Sequence, residues 1–133
     1  MKQMEYKSEM TMEILESGTY KGFDYKVVSY GAYPCCYVSI RPEIAIYKVD
    51  YDDKKMFQID CHGGLTFSNF RDFGDGKKWY IGWDYNHATD YFGIYESEYM
   101  KEFKLYHEKD KRWTTEEMKT ECIYVIEQIL KEM

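Results

Sequence analysis

The chain predicts an α+β fold, a mainly antiparallel sheet with a C-terminal amphipathic helix packed on it. Three observations predict it. Apolar residues alternate over the first 15 positions, the period of a half-buried strand. Short apolar runs then recur, separated by Gly, Pro and Asp turns. Near the C-terminus a single stripe repeats every 3.6 residues, the period of an amphipathic helix. At 133 residues the chain is one domain, 1–133, long enough to bury a core without staples.

Taken in order, Met4, Tyr6, Met10, Met12 and Ile14 share one face of a first strand, which Ser17-Gly18 punctuates. A second strand spans Tyr20 to Tyr30. Pro34 closes a Gly31–Pro34 turn, because it disfavours a helical residue before it and lacks a ladder donor. Cys35 to Ile40 is a third strand, interrupted by Pro42, with Ile44 to Val49 as an edge continuation. Asp50 to Lys55 is a charged turn. Met56 to Cys61 is a short strand that ends at His62-Gly63-Gly64. Leu65 to Phe67 is extended, Ser68 to Lys77 is a loop, and Lys78 to Asp84 is an interior strand. Tyr85 to Gly93 is a polar loop. Tyr95 to Tyr106 fits a short helix or a strand, and His107 to Arg112 is a charged linker. Thr114 and Glu117 have the S/T-x-x-E spacing of a capping box. Met118, Cys122, Val125, Ile126, Ile129 and Leu130 follow as the apolar stripe.

Composition narrows the function. Net charge is −6, which disfavours a general phosphate-backbone binder. No leader pattern opens the chain, and no apolar run approaches about 18 residues, so it reads as cytoplasmic with no membrane partner. Four Cys at 35, 36, 61 and 122 make no C-x-x-C pair and read as free thiols. Aromatic content is 19%, with 15 Tyr, enough to cover sheet faces and still wall a cleft.

Two polar segments stand out. In the first, a strand delivers His62 to its end, and Gly63-Gly64 allow positive φ and close backbone approach. Successive amides there could hold a phosphate or carboxylate; Thr66 follows. The bland alternative is a tight turn. In the second, Asp84, His87 and Asp90 fall at i, i+3 and i+6, with Tyr80 on the face of Asp84. These groups could bind a metal, act as acid and base, or bond a polar ligand. Equally, Asp84 and Asn86 could close an Asx turn. Arg41 and Arg71 could clamp an anion, although a surface role is the simpler reading. Lys54-Lys55 and Lys77-Lys78 read as solvated turns. The stripe of the last helix is too short for a confident coiled coil, so a homo-oligomer stays an open alternative. The sequence leaves the identity of any cofactor or metal open.

Tyr37-Val-Ser-Ile, Tyr47-Lys-Val-Asp-Tyr-Asp, Asp60-Cys-His-Gly-Gly-Leu-Thr-Phe-Ser68, Trp79-Tyr-Ile-Gly-Trp-Asp-Tyr-Asn-His-Ala-Thr-Asp90 and the Glu121-Cys122 pair resemble a family of small phage and prophage proteins. The resemblance rests on HGGLT(Y/F)S and W-x-x-G-F-D-x-x-H-x-x-D segments in this order. Trp83 replaces the usual Phe, and Ile44-Ala45 stand where His-Pro is expected. The resemblance implies a host-cell setting and supports a joint site, without naming an activity. Three readings follow. The chain binds a small polar, nucleotide-like ligand at His62, Gly63, Gly64, Thr66, Tyr80, Asp84, His87 and Asp90, with counter-defence by sequestration as a role. Alternatively it is a small metal-dependent or acid–base hydrolase, or a protein that inhibits a host protein by binding it.

Overall fold

The computed structural model describes residues 12–31, 33–85, 90–91 and 111–132, with the backbone alone for 90–91 and 111–112. Five strands, β1 (Glu13–Tyr20), β2 (Phe23–Ser29), β3 (Pro34–Ser39), β4 (Phe67–Asp72) and β5 (Lys77–Asp84), form an antiparallel sheet in the order β1-β2-β3-β5-β4. Asp90–Tyr91 (β6) and Lys111–Arg112 (β7) make a short parallel pair. The helix α1 (Thr115–Glu132) packs on β1, β2 and β3. The expected α+β fold is what the chain adopts. Among the described residues no helix is long and apolar enough to cross a membrane.

The β1–β2 hairpin turns on Lys21 and Gly22, both with positive φ (48° and 86°), the two-residue geometry that matches strand twist. Ser17-Gly18 was the expected break, yet both residues lie inside β1, paired with Lys26 and Tyr25. Gly18 answers a packing need instead. A Cβ there would sit 2.5 Å from the Tyr25 hydroxyl, so the missing side chain makes room for the ring. The start of the expected first strand lies outside the described residues, as do Tyr95 to Tyr106.

From the end of β3 through β4 the structure corrects three assignments. Ile44–Val49 is a chain of tight turns, with amides of Ile44, Tyr47 and Val49 donating three residues back. Met56–Cys61 is no strand: a short 3₁₀ turn, Lys54–Met56, leads into further turns. The free edge of β3 is taken by β5, so this stretch cannot extend the sheet beside β3. Conversely, Ser68–Asp72 was expected in a loop and forms most of β4, because each residue there has a partner on β5.

Both faces of the central strands are buried. Phe23, Val27, Cys36, Val38, Ile81 and Trp83 pack with Met118, Cys122, Val125, Ile126 and Ile129 of α1. Burying a side chain of this size stabilises by about 1.5–3 kcal/mol. Val28, Cys35, Tyr37, Phe73 and Tyr80 form a second cluster on the opposite face. The capping box is present: the Glu117 amide donates to Thr114 Oγ1 and the Thr114 amide to Glu117 Oε1, both at 3.1 Å. Leu130 lies off the buried stripe and is exposed.

Candidate functional site

The Cys61–Gly64 segment and Asp84-Tyr85, the described start of the second polar segment, meet at the C-terminal end of β5. Cys61–Gly64 forms a turn in which the Gly64 amide donates to the Cys61 carbonyl at 3.0 Å. Gly63 and Gly64 have φ of 72° and 84°, the left-handed region that glycine enters without strain. Open space surrounds the Cβ position of Gly64, so backbone conformation, not crowding, calls for glycine there. With its amide spent inside the turn, Gly64 does not offer that group to an anion.

Helix α1 pins this loop. The Asp60 amide donates to Gln128 Oε1 and the Gln128 amide nitrogen to the Asp60 carbonyl, each at 2.7 Å. The His62 amide donates to Glu121 Oε2 at 2.7 Å. The imidazole stacks on Tyr85, 4.8 Å between centroids and 6° from parallel. Trp113 stands edge-on to His62 at 4.8 Å and tilted against Tyr85 at 5.0 Å. The Tyr85 hydroxyl donates to Glu121 Oε1 at 2.6 Å and accepts from the Trp83 indole at 3.1 Å. Glu121 thus ties the glycine loop to the residue after β5. A second tie runs from Thr66 Oγ1 to Asp84 Oδ2 at 3.1 Å.

His62, Gly63, Gly64, Thr66 and Asp84 are therefore neighbours through these ties. His87 and the side chain of Asp90 lie outside the described residues. Tyr80 does not face a ligand: it is fully buried among Tyr37 and Phe73. It does share strand parity with Asp84, but the face opposite α1 is itself covered. Tyr85, Trp113 and Glu121 complete the site without having been singled out as ligand groups. Faint signals existed for two of them. Glu121 borders the apolar stripe, three residues after Met118, and Trp113 directly precedes the capping threonine.

The site is acidic and its thiols are protonated. Burial pushes the Cys61 thiol up to about 12, helped by the Glu121 and Asp60 charges. Burial and then Asp84 push Cys35 to about 12 as well. Burial, Cys36 and Glu121 hold the Tyr85 hydroxyl well above the usual phenol range, so it acts as a donor. Nucleophilic thiolate chemistry at neutral pH has no support here. Among the described residues no three His, Cys, Asp or Glu groups are placed to hold a metal.

Of the two arginines that could have clamped an anion, Arg71 is committed to an aromatic cage. Its guanidinium donates to the Tyr30 hydroxyl at 2.7 Å and lies over Phe73 at 4.7 Å. Arg41 pairs with Glu43 at 2.6 Å.

The glycine of the Trp79–Asp90 motif is architectural. A Cβ on Gly82 would meet the Cys36 carbonyl at 2.7 Å and the Tyr37 ring at 2.8 Å. No family model, curated protein or solved structure matches the chain.

Proposed function

We propose that this chain is a small ligand-binding protein that holds a planar polar ring at the His62–Tyr85–Trp113 cluster. The observation that carries the reading is the convergence of three aromatic rings from separate segments, two of them only half-buried, beside the Glu121 carboxylate. Half-buried aromatic faces favour stacking on a planar ring. The Glu121 carboxylate favours a ring bearing hydrogen-bond donors, as the base end of a nucleotide-like molecule does. It disfavours an anion placed directly on the glycine loop. The phage-type motifs make sequestration of such a ligand inside a host cell, as counter-defence, the biological role that fits this reading. The hydrolase reading depends on His87 and Asp90 and gains nothing from the thiols.

A thermal-shift panel of uncharged nucleobases and nucleosides tests the proposal. At ligand concentrations about 100-fold above Kd, binding adds about 2.7 kcal/mol and raises Tm by several degrees. The shift is expected to disappear in His62→Ala. A flat panel, or a shift retained in that variant, sinks the reading.

A further inference from the structure

A cleft opens at the other end of β5. It encloses about 240 Å³ and is lined by Ser39, Arg41, Tyr47, Phe70, Lys77 and Trp79, among others. An eight-residue strand separates this end from His62 by roughly 20 Å, so one small ligand cannot touch both places.

Four cations gather here, and they divide sharply. Arg41 is neutralised by Glu43, and Lys78 by Asp24 at 2.6 Å and Asp75 at 3.5 Å. Lys48 and Lys77 have no carboxylate partner among the described residues. Their ammonium groups instead lie 5.6 Å and 5.1 Å from the centroid of the same ring, Phe70. Lys48 also stands 5.8 Å from the Tyr47 ring. Phe70 and Tyr47 pack on Trp79, whose indole N–H is buried with no acceptor among the described residues. In a chain of net charge −6, two ammonium groups without an ion pair among the described residues, beside a walled cleft, are a local exception; Asp72, the cross-strand partner of Lys77, spends its Oδ1 on the Gly74 and Gly76 amides. A cation over an exposed ring gains only about 0.5–1 kcal/mol, so both lysines retain most of their capacity for an anion.

We propose that this cleft binds a small anion carrying a planar ring, of the class of an aryl phosphate or nucleoside monophosphate. The ring lies against Phe70 and Tyr47, and the charge is held by Lys48 and Lys77. The volume is below the span of about 300–1,000 Å³ typical of drug-sized ligands, which suits one ring and one anionic group. This inference concerns a different place and a different ligand charge from the His62 cluster, and either can fail alone.

The test is an amide and indole NMR titration of the full chain with adenosine monophosphate, with adenosine and inorganic phosphate as separate arms. With the monophosphate, the Trp79 indole and the Phe70 and Lys77 amides are expected to shift and saturate with Kd below about 1 mM. The Trp83 indole, held by Tyr85, is expected to stay in place. Adenosine and phosphate should each bind at least about tenfold more weakly, a gap of about 1.4 kcal/mol. A Lys48→Gln, Lys77→Gln double variant should weaken the monophosphate about tenfold. Both side chains are exposed, and glutamine leaves the unusual Lys48 backbone (φ 65°) no more strained than before. The proposal is overturned by a lack of saturable shifts, by equal affinity for phosphate or adenosine alone, by undiminished binding in the double variant, or by shifts centred on His62.

Discussion

The two ends of β5 are built on opposite plans. At the C-terminal end, near Asp84, polar groups answer one another: Glu121 takes both the His62 amide and the Tyr85 hydroxyl, and Thr66 bonds Asp84. At the N-terminal end, Lys48 and Lys77 touch rings and no carboxylate among the described residues. The difference teaches where to look for structure and where for binding. Groups that satisfy each other hold the fold in place, and charges left over by the fold remain for a ligand. By that measure the first end is a rigid platform whose ligand contacts come from ring faces. The second is a charged receptor.

The largest effect should come from removing what both ends share. Gly82→Ala pushes a methyl into the Cys36 carbonyl, and the β3–β5 ladder must open to accommodate it. A loss of about 3 kcal/mol is expected in urea unfolding, with both ends disturbed in amide spectra. A near-neutral result would mean that the strands slide apart freely and do not couple the two ends.

Next comes the platform alone. Glu121→Ala strands the His62 amide and the buried Tyr85 hydroxyl without their acceptor, and about 2–3 kcal/mol should be lost. The Phe70 and Lys77 amides should not move. If they do, the ends are not independent.

A smaller effect is expected from the neutralised half of the receptor. Burial alone would raise the Asp24 carboxyl, but the Lys78 ammonium and the Thr19 hydroxyl outweigh it and hold it below the ordinary carboxylate range. A lowered folded pKa contributes stability above the unfolded value, about 3.9, and loses it as pH falls through the folded value. Asp24→Asn should therefore cost about 1 kcal/mol at pH 7, a figure discounted for partial exposure. The difference from wild type should shrink in acid below about pH 4. A constant difference down to pH 2 would contradict the charge explanation.

The smallest stability effect belongs to the unpaired lysines. Lys48→Gln and Lys77→Gln should each change unfolding free energy by less than about 0.5 kcal/mol while reducing anion capture. A large destabilisation would reveal that they serve the fold after all.

Much of the fold was legible because local signals agreed. The Thr114–Glu117 cap and the Met118–Ile129 stripe mark α1, and the Trp79-Ile81-Trp83 alternation marks β5. The 40–66 stretch misled for a physical reason. Ile44–Val49 and Met56–Cys61 carry strand-like residues, but a strand needs an edge, and whether β3 offers one depends on where β5 lands. Ser68–Asp72 erred the other way: polar residues suit an outermost strand as well as a loop. The site was half visible. Glycines announced Cys61–Gly64, whereas Glu121 joins Tyr85 across 36 residues that no spacing rule connects. Lys77 read as a solvated turn because the ring beside it comes from another strand.

The strand order also has a consequence in time. Strands β1, β2 and β3 meet their neighbours through tight local turns, while β5 reaches β3 only after the chain has left the sheet at Ile40 and returned through β4. Closing that long excursion costs entropy before any pairing offsets it, and non-local pairing of this kind is slow. Both candidate sites draw residues from the excursion: Tyr47 and Lys48 at one end, His62 at the other. We therefore expect the meander to gain protection first and both sites to mature together, late in folding. Pulse-labelled hydrogen exchange would contradict this order if amides of residues 41–64 were protected before those of β2 and β3.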